Sequence, residues 1–223
     1  MTFHYIFALR IAILFAIIVL FGVTMSSVVV KRVESFTSNR IIILLGDSML
    51  ENKYYVKEGK SIIDFLKESF DKIYSFAVDG TTITGIYQQI KKIPQNFNNN
   101  DTYIFLSVGG NDIIERAQSG STIENIDTIF EEYMKMVESL KTKMFDSKIV
   151  LLTLYYPASK DYHLYYGMIK DWNQKLEYFA LRNEMQVIKT NQILSDPNDF
   201  INNIEPSKLG GEKLAESILN VVS

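Results

Sequence analysis

The sequence predicts a three-layer α/β/α sandwich on a parallel five-stranded sheet, preceded by one N-terminal transmembrane helix. Three observations carry that expectation. Near the N-terminus lies a twenty-residue stretch without a charge. After residue 40, short apolar runs alternate with segments of helical periodicity. Polar and glycine-rich loops follow the runs, where an α/β sheet holds its ligands.

Taking the chain in order, residues 1–10 form an N-terminal flank whose one charged side chain is Arg10. Residues 11–30, IAILFAIIVLFGVTMSSVVV, are apolar except for Gly22, Thr24, Ser26 and Ser27. At about 1.5 Å per residue a helix of this length spans roughly 30 Å, the thickness of a bilayer core. A cleavable signal peptide would show a shorter apolar region and an A-x-A-like site, which this stretch lacks. An uncleaved signal anchor is therefore expected. Arg10 on one side and Lys31, Arg32 and Arg40 on the other leave orientation open by charge. A lone N-terminal anchor commonly displays its domain outside the cytoplasm, and that placement is the expectation. Residues 31–39 read as a tether and residues 40–223 as one domain.

Within that domain, 41–45 (IIILL) is a continuous apolar run, as expected of a strand buried on both faces. Ile62, Ile63, Leu66 and Phe70 recur at helical spacing. Residues 73–78 read as a second strand, and 82–93 as a helix stopped by Pro94. After the polar loop 96–101 come a third strand, 103–108, and a long helix marked by Ile126, Ile129, Phe130, Tyr133, Val137 and Leu140. A fourth strand at 149–154, a helix through Tyr165, Ile169, Trp172, Leu176 and Phe179, a fifth strand at 186–189 and a last helix through Leu214, Ile218 and Val222 complete the domain. Strands alternating with helices pair in parallel through right-handed crossovers.

Composition narrows the chemistry. There are 23 Lys+Arg against 26 Asp+Glu, a net charge of −3, so no basic excess points to nucleic acid. The absence of cysteine excludes disulfides, a thiol nucleophile, thiolate zinc and iron–sulfur clusters. His4 and His163 are the two histidines, which excludes a site needing several. No cofactor and no resident metal are expected. Asp47, Asp79 and Asp112 follow three strands, but their spacing specifies no cation, and each suits a turn. Glu58-Gly59-Lys60-Ser61 lacks the earlier glycine of a phosphate loop, since Tyr54 stands there.

What the post-strand loops do hold is the equipment of acyl transfer: a nucleophile and donors for an oxyanion. Ser48 is expected on a tight strand-to-helix turn. Its own amide, the Gly80 amide and the Asn111 side-chain NH₂ can converge as three donors, and glycine at 80 permits close backbone approach. Tyr54, Tyr55, Tyr155, Tyr156, Tyr162, Tyr165 and Tyr166 cluster in the flanking loops, where they can stack on sugars, seal an acyl pocket or simply pack.

Gly46-Asp47-Ser48, Gly80, Gly109-Gly110-Asn111-Asp112 and the late Pro206 and Gly210 together resemble the SGNH (GDSL-type) hydrolase superfamily, from about Ile41 to the C-terminus. The resemblance implies a flavodoxin-like fold and action on a small-molecule, lipid or glycan ester. It also implies Ser48 as nucleophile and the Ser48, Gly80 and Asn111 donors as oxyanion hole. Before the last helix the family carries Asp-x-x-His-Pro. Here the segment is Asn202-Asn203-Ile204-Glu205-Pro206, so Glu205 stands at the histidine position and Asn202 at the aspartate position. Glu205 can serve as base with Asn202 as its partner, or it can be a solvated residue or a cap of the last helix. His163, on the loop after the fourth strand, is the alternative base. Two functions follow: a membrane-anchored ester hydrolase, or a degenerate member that keeps the pocket for binding or assembly.

Overall fold

The computed structural model describes residues 39–118, 125–202 and 204–223. The sheet is built from β1 (Ile41–Gly46), β2 (Ile73–Ser75), β3 (Thr102–Ser107), β4 (Lys148–Leu152) and β5 (Gln186–Ile188). All neighbours are parallel, in the order β2-β1-β3-β4-β5. Side chains alternate faces along each strand, and both sets are apolar. Ile43, Leu45, Ile104, Leu106, Ile149 and Leu151 enter one core, while Ile42, Leu44, Phe105, Val150 and Leu152 enter the other.

Helices cover each face. On the first lie α2 (Ile83–Lys92), α3 (Gly110–Gln118), α4 (Asn125–Lys143) and α5 (Tyr166–Arg182). On the second lie α1 (Ile62–Lys67) and the C-terminal α7 (Lys208–Val222), with the short α6 (Thr190–Ile193) beside them. The first core centres on Trp172, wholly buried against Phe130 and Tyr133 with ring centroids 5.2 Å away in each case.

The predicted α/β architecture is present, with three local differences. Gly109-Gly110-Asn111-Asp112, expected in a glycine-rich loop after the third strand, runs straight into α3, so Asn111 and Asp112 sit in a helical first turn. No helix follows β1 directly; residues 47–50 turn, and α1 begins at Ile62 behind a Ser61 cap. A two-residue hairpin, β6 (Phe200–Ile201) and β7 (Glu205–Pro206), stands before α7. Its dipeptide strands are too short to leave a period-2 pattern. Among the described residues no helix is long and apolar enough to cross a membrane; the expected anchor, 11–30, lies outside them.

Where β1 and β3 end, the backbones come very close. Gly46 has φ +150°, and a β-carbon there would lie 2.2 Å from the Ser107 carbonyl oxygen. Gly46→Ala therefore needs backbone movement at a buried strand pair. The expected result in urea unfolding is a loss of about 3 kcal/mol. Gly167→Ala on α5, where nothing lies within 4 Å, is the control and is expected to shift stability by no more than about 0.5 kcal/mol.

Candidate active site

The β1 loop, the β2–α2 loop, the start of α3 and the β6–β7 hairpin meet above the carboxyl edge of the sheet. Buried amide side chains fix their spacing. Gln89 of α2 accepts from the Gly46 N–H and donates to its carbonyl, both at 2.8 Å, and also donates to Thr81 Oγ1 at 3.1 Å. It thus ties the Ser48 loop to the Gly80 loop. Asn52 accepts from the Ile62 N–H at 2.9 Å and donates to the Pro206 carbonyl at 3.4 Å, tying the same loop to β7. Asn173 closes the end of β4 by exchanging two 2.7 Å bonds with Leu154. None of these three was legible in the sequence. Each bonds backbone far away along the chain, and a lone amide in a helix or loop carries no spacing signal.

Ser48 is half-buried on the turn after β1, which Asp47 shapes by accepting from Met49 N–H at 3.1 Å. Gly80 holds φ +71°, in the left-handed region that glycine enters without penalty, and leaves its loop exposed. Asn111 leans toward that loop, donating Nδ2 to the Thr81 carbonyl at 3.0 Å. An amide NH₂ carries two hydrogens, so the second stays available. Asp112, one residue on, accepts from the Ile83 N–H through both carboxyl oxygens at 3.1 Å and so anchors the N-terminus of α2.

Glu205 is neither solvated nor a helix cap. It is 8% exposed on β7 and lines the same pocket as Ser48, whose hydroxyl favours its charged form. Its second oxygen, Oε2, is buried without a hydrogen-bond partner. Ser207 instead caps α7, accepting from the Gly210 N–H at 3.3 Å. The expected Asn202–Glu205 pairing is not formed. Asn202 occupies the hairpin turn with φ +51°, which leaves its side chain exposed. His163 is also exposed, its ring 4.7 Å from that of Tyr166, and it does not line the pocket.

The pocket holds a cavity of about 100 Å³. Ser48, Asn111 and Glu205 line it; Ile113, Ile114, Leu154 and Ile169 give it an apolar wall; Tyr155, Tyr162 and Tyr165 complete the lining. From the tyrosine cluster, Tyr55 instead donates to Asp79 Oδ2 at 2.5 Å, Tyr166 donates to the Pro157 carbonyl at 2.6 Å, and Tyr54 is 72% exposed. No cluster of His, Cys, Asp or Glu able to hold a metal occurs among the described residues.

Burial sets the electrostatics. It pushes Asp47 up to about 7, against the Met49 N–H bond that favours its charge, and the Glu205 charge adds to the rise. Burial likewise pushes Asp112 up to about 6. Glu205 rises to about 6, again chiefly by burial, with the Ser48 bond opposing and the charge of Asp79 assisting. All three folded pKa values exceed the unfolded references near 4, so the folded chain holds more protons between about pH 4 and 7. Stability from these groups is full below that window and declines as pH rises through it. Thermal unfolding is expected at higher temperature near pH 5 than near pH 8. Asp47→Asn keeps an acceptor for Met49 and should narrow that difference; an unchanged difference would place the titration elsewhere.

Comparison with known proteins agrees with this arrangement. The family model of the GDSL-like lipase/acylhydrolase family matches residues 42–218. No curated protein matches the chain. Among solved structures, a lipolytic protein of the G-D-S-L family from Veillonella parvula superposes with TM-score 0.66 at 18% identity, covering 82% of this chain and 97% of its own. An acetyl xylan esterase gives 0.63 at 16% identity, with 82% and 99% covered. A variant acetyl-xylooligosaccharide esterase from Geobacillus gives 0.63 at 16%, with 85% and 96% covered. At these identities the superpositions speak for the fold alone. With the family match spanning most of the sequence, the chain belongs to the GDSL-like lipase/acylhydrolase family.

Proposed function

We propose that this protein is a serine ester hydrolase in which Glu205 takes the place of the usual histidine base. The observation that carries the reading is a buried carboxyl, raised to about 6, lining the same pocket as Ser48. A base works best with a pKa near the operating pH, and burial moves Glu205 toward that range. Ser48 Oγ attacks the ester carbon while its proton passes to Glu205. The carbonyl oxygen becomes an oxyanion facing the Ser48 and Gly80 amides and Asn111 Nδ2. As the tetrahedral adduct collapses, the C–O bond to the alcohol breaks and the alcohol leaves with the proton from Glu205. Water then adds to the acyl-enzyme with its proton going to Glu205, the acid departs, and Ser48 regains its hydrogen.

The missing orienting partner of Glu205 is the observation that favours a second reading, a degenerate member that binds without turnover. Activity separates the two. Wild-type protein is expected to hydrolyse a small acetyl ester, Ser48→Ala to abolish this, and Glu205→Gln to lower kcat by about 10² or more. Asn202→Asp should change nothing, because the side chain is exposed on the hairpin turn. An inactive wild type would favour the binding role. Loss in His163→Ala with survival in Glu205→Gln would move the base to the loop after β4.

We also propose that residues 11–30 anchor the domain in a membrane, with the domain outside the cytoplasm. The uncharged run supports this. Full-length protein is expected to remain in the membrane pellet on carbonate extraction. Release at full mass would contradict the anchor, and release at reduced mass would indicate a cleaved signal.

A further inference from the structure

The hydrolase pocket has an unbalanced charge. Asp47, Asp79 and Glu205 line it, and among the described residues no Lys, Arg or His does. The groups around it do not supply the missing cation. Asp79 accepts from Tyr55, and its N–H donates to Glu51 at 3.4 Å; Glu51 in turn holds Lys53 at 2.9 Å. Asp112, behind the wall, is occupied by the Ile83 N–H. A second observation points to a ligand: Glu205, more than nine-tenths buried, lines the pocket, and its Oε2 has no hydrogen-bond partner among the described residues. A buried carboxylate oxygen without a donor is costly, and a ligand carrying positive charge relieves it.

Resting on the hydrolase reading, we propose that the preferred substrates are esters of a small uncharged acyl group with an alcohol that bears an ammonium group, set toward Asp79 at the mouth of the pocket. The acyl side follows from the Ile113–Ile114–Leu154–Ile169 wall and the cavity of about 100 Å³, small beside the ~300–1,000 Å³ of ordinary ligand pockets. The alcohol side follows from the carboxylates and from Tyr155 and Tyr162, whose ring faces attract cations. Asp79 is exposed, so it meets the part of the substrate that projects from the cavity. Its field already reaches Glu205 and assists the rise of that group. Anionic alcohols or acyl groups meet repulsion at the same place.

Three acetate esters of similar size test this on the full-length protein: acetylcholine, its uncharged isostere 3,3-dimethylbutyl acetate, and 4-acetoxybutanoate. The expected order of kcat/KM is cationic, neutral, anionic, with about tenfold between neighbours, carried mainly in KM. Asp79→Asn should shrink the cationic-to-neutral ratio to within about threefold, and added salt should shrink it in the wild type. Equal values, or preference for the anion, would overturn the proposal while leaving the hydrolase reading intact. Failure on all three esters would overturn the hydrolase reading. Calorimetry on Ser48→Ala then decides the ammonium preference by itself: acetylcholine binding about tenfold more tightly than the neutral isostere supports it, and equal binding overturns it.

Discussion

At the carboxyl ends of β1 and β3 the chain has no room for a side chain, and the site is organised around that closeness. Gly46 lies against the Ser107 carbonyl, so the turn carrying Ser48 leaves the sheet at one fixed height. The connection from β1 runs to β2 on one side, and those from β2 and β3 run back over the other face, which opens a crevice between them. Into that crevice come the Gly80 loop, the first turn of α3 and the β6–β7 hairpin. Gln89 and Asn52 then act as spacers, each bonding two elements that must keep their distance. Because these spacers are buried amides with satisfied partners, loosening either one leaves polar backbone unpaired and costs more than the bond alone.

Burial also does the chemical work. The wall that shapes the cavity is the same low-dielectric surface that lifts Glu205 toward neutral pH. A histidine would arrive with a suitable pKa in water, whereas a glutamate needs desolvation and a neighbouring negative charge, and here Asp79 supplies the latter. The arrangement depends on keeping cations out of the protein's side of the pocket. A lysine fixed beside Glu205 would hold it ionised in the free protein and lower its basicity, whereas the proposed substrate ammonium is set toward Asp79. Excluding cations from the protein side leaves an electronegative mouth, so the proposed base and the proposed substrate preference have one origin.

The sheet was legible in the sequence because parallel strands buried on both faces leave continuous apolar runs, as 41–45 and 149–152 do. The positions of Ser48, Gly80 and Asn111 were legible because each follows a strand of the sheet. The start of α3 was not, since Gly109-Gly110-Asn111-Asp112 has the composition of a turn while its residues after Gly109 are helical. Glu205 could be placed by its spacing to Pro206, but its burial could not. That depends on long-range packing, including the bond from Asn52 to the Pro206 carbonyl across 154 residues of sequence. Asn202 failed as a partner for a local reason. The two-residue strands put it at the hairpin turn, where its side chain points to solvent.

The account stands on a proton leaving Ser48 for Glu205, and the pH dependence of covalent labelling reads that transfer without needing the natural ester. A fluorophosphonate that phosphonylates active serines would be added to the full-length protein, and the rate followed by intact mass between about pH 4.5 and 8.5. Labelling is expected at Ser48, rising with pH through an inflection near 6 as the carboxyl loses its proton, and falling by about 10² with the inflection gone in Glu205→Gln. An unlabelled Ser48, or the same rate and inflection in Glu205→Gln, would contradict it.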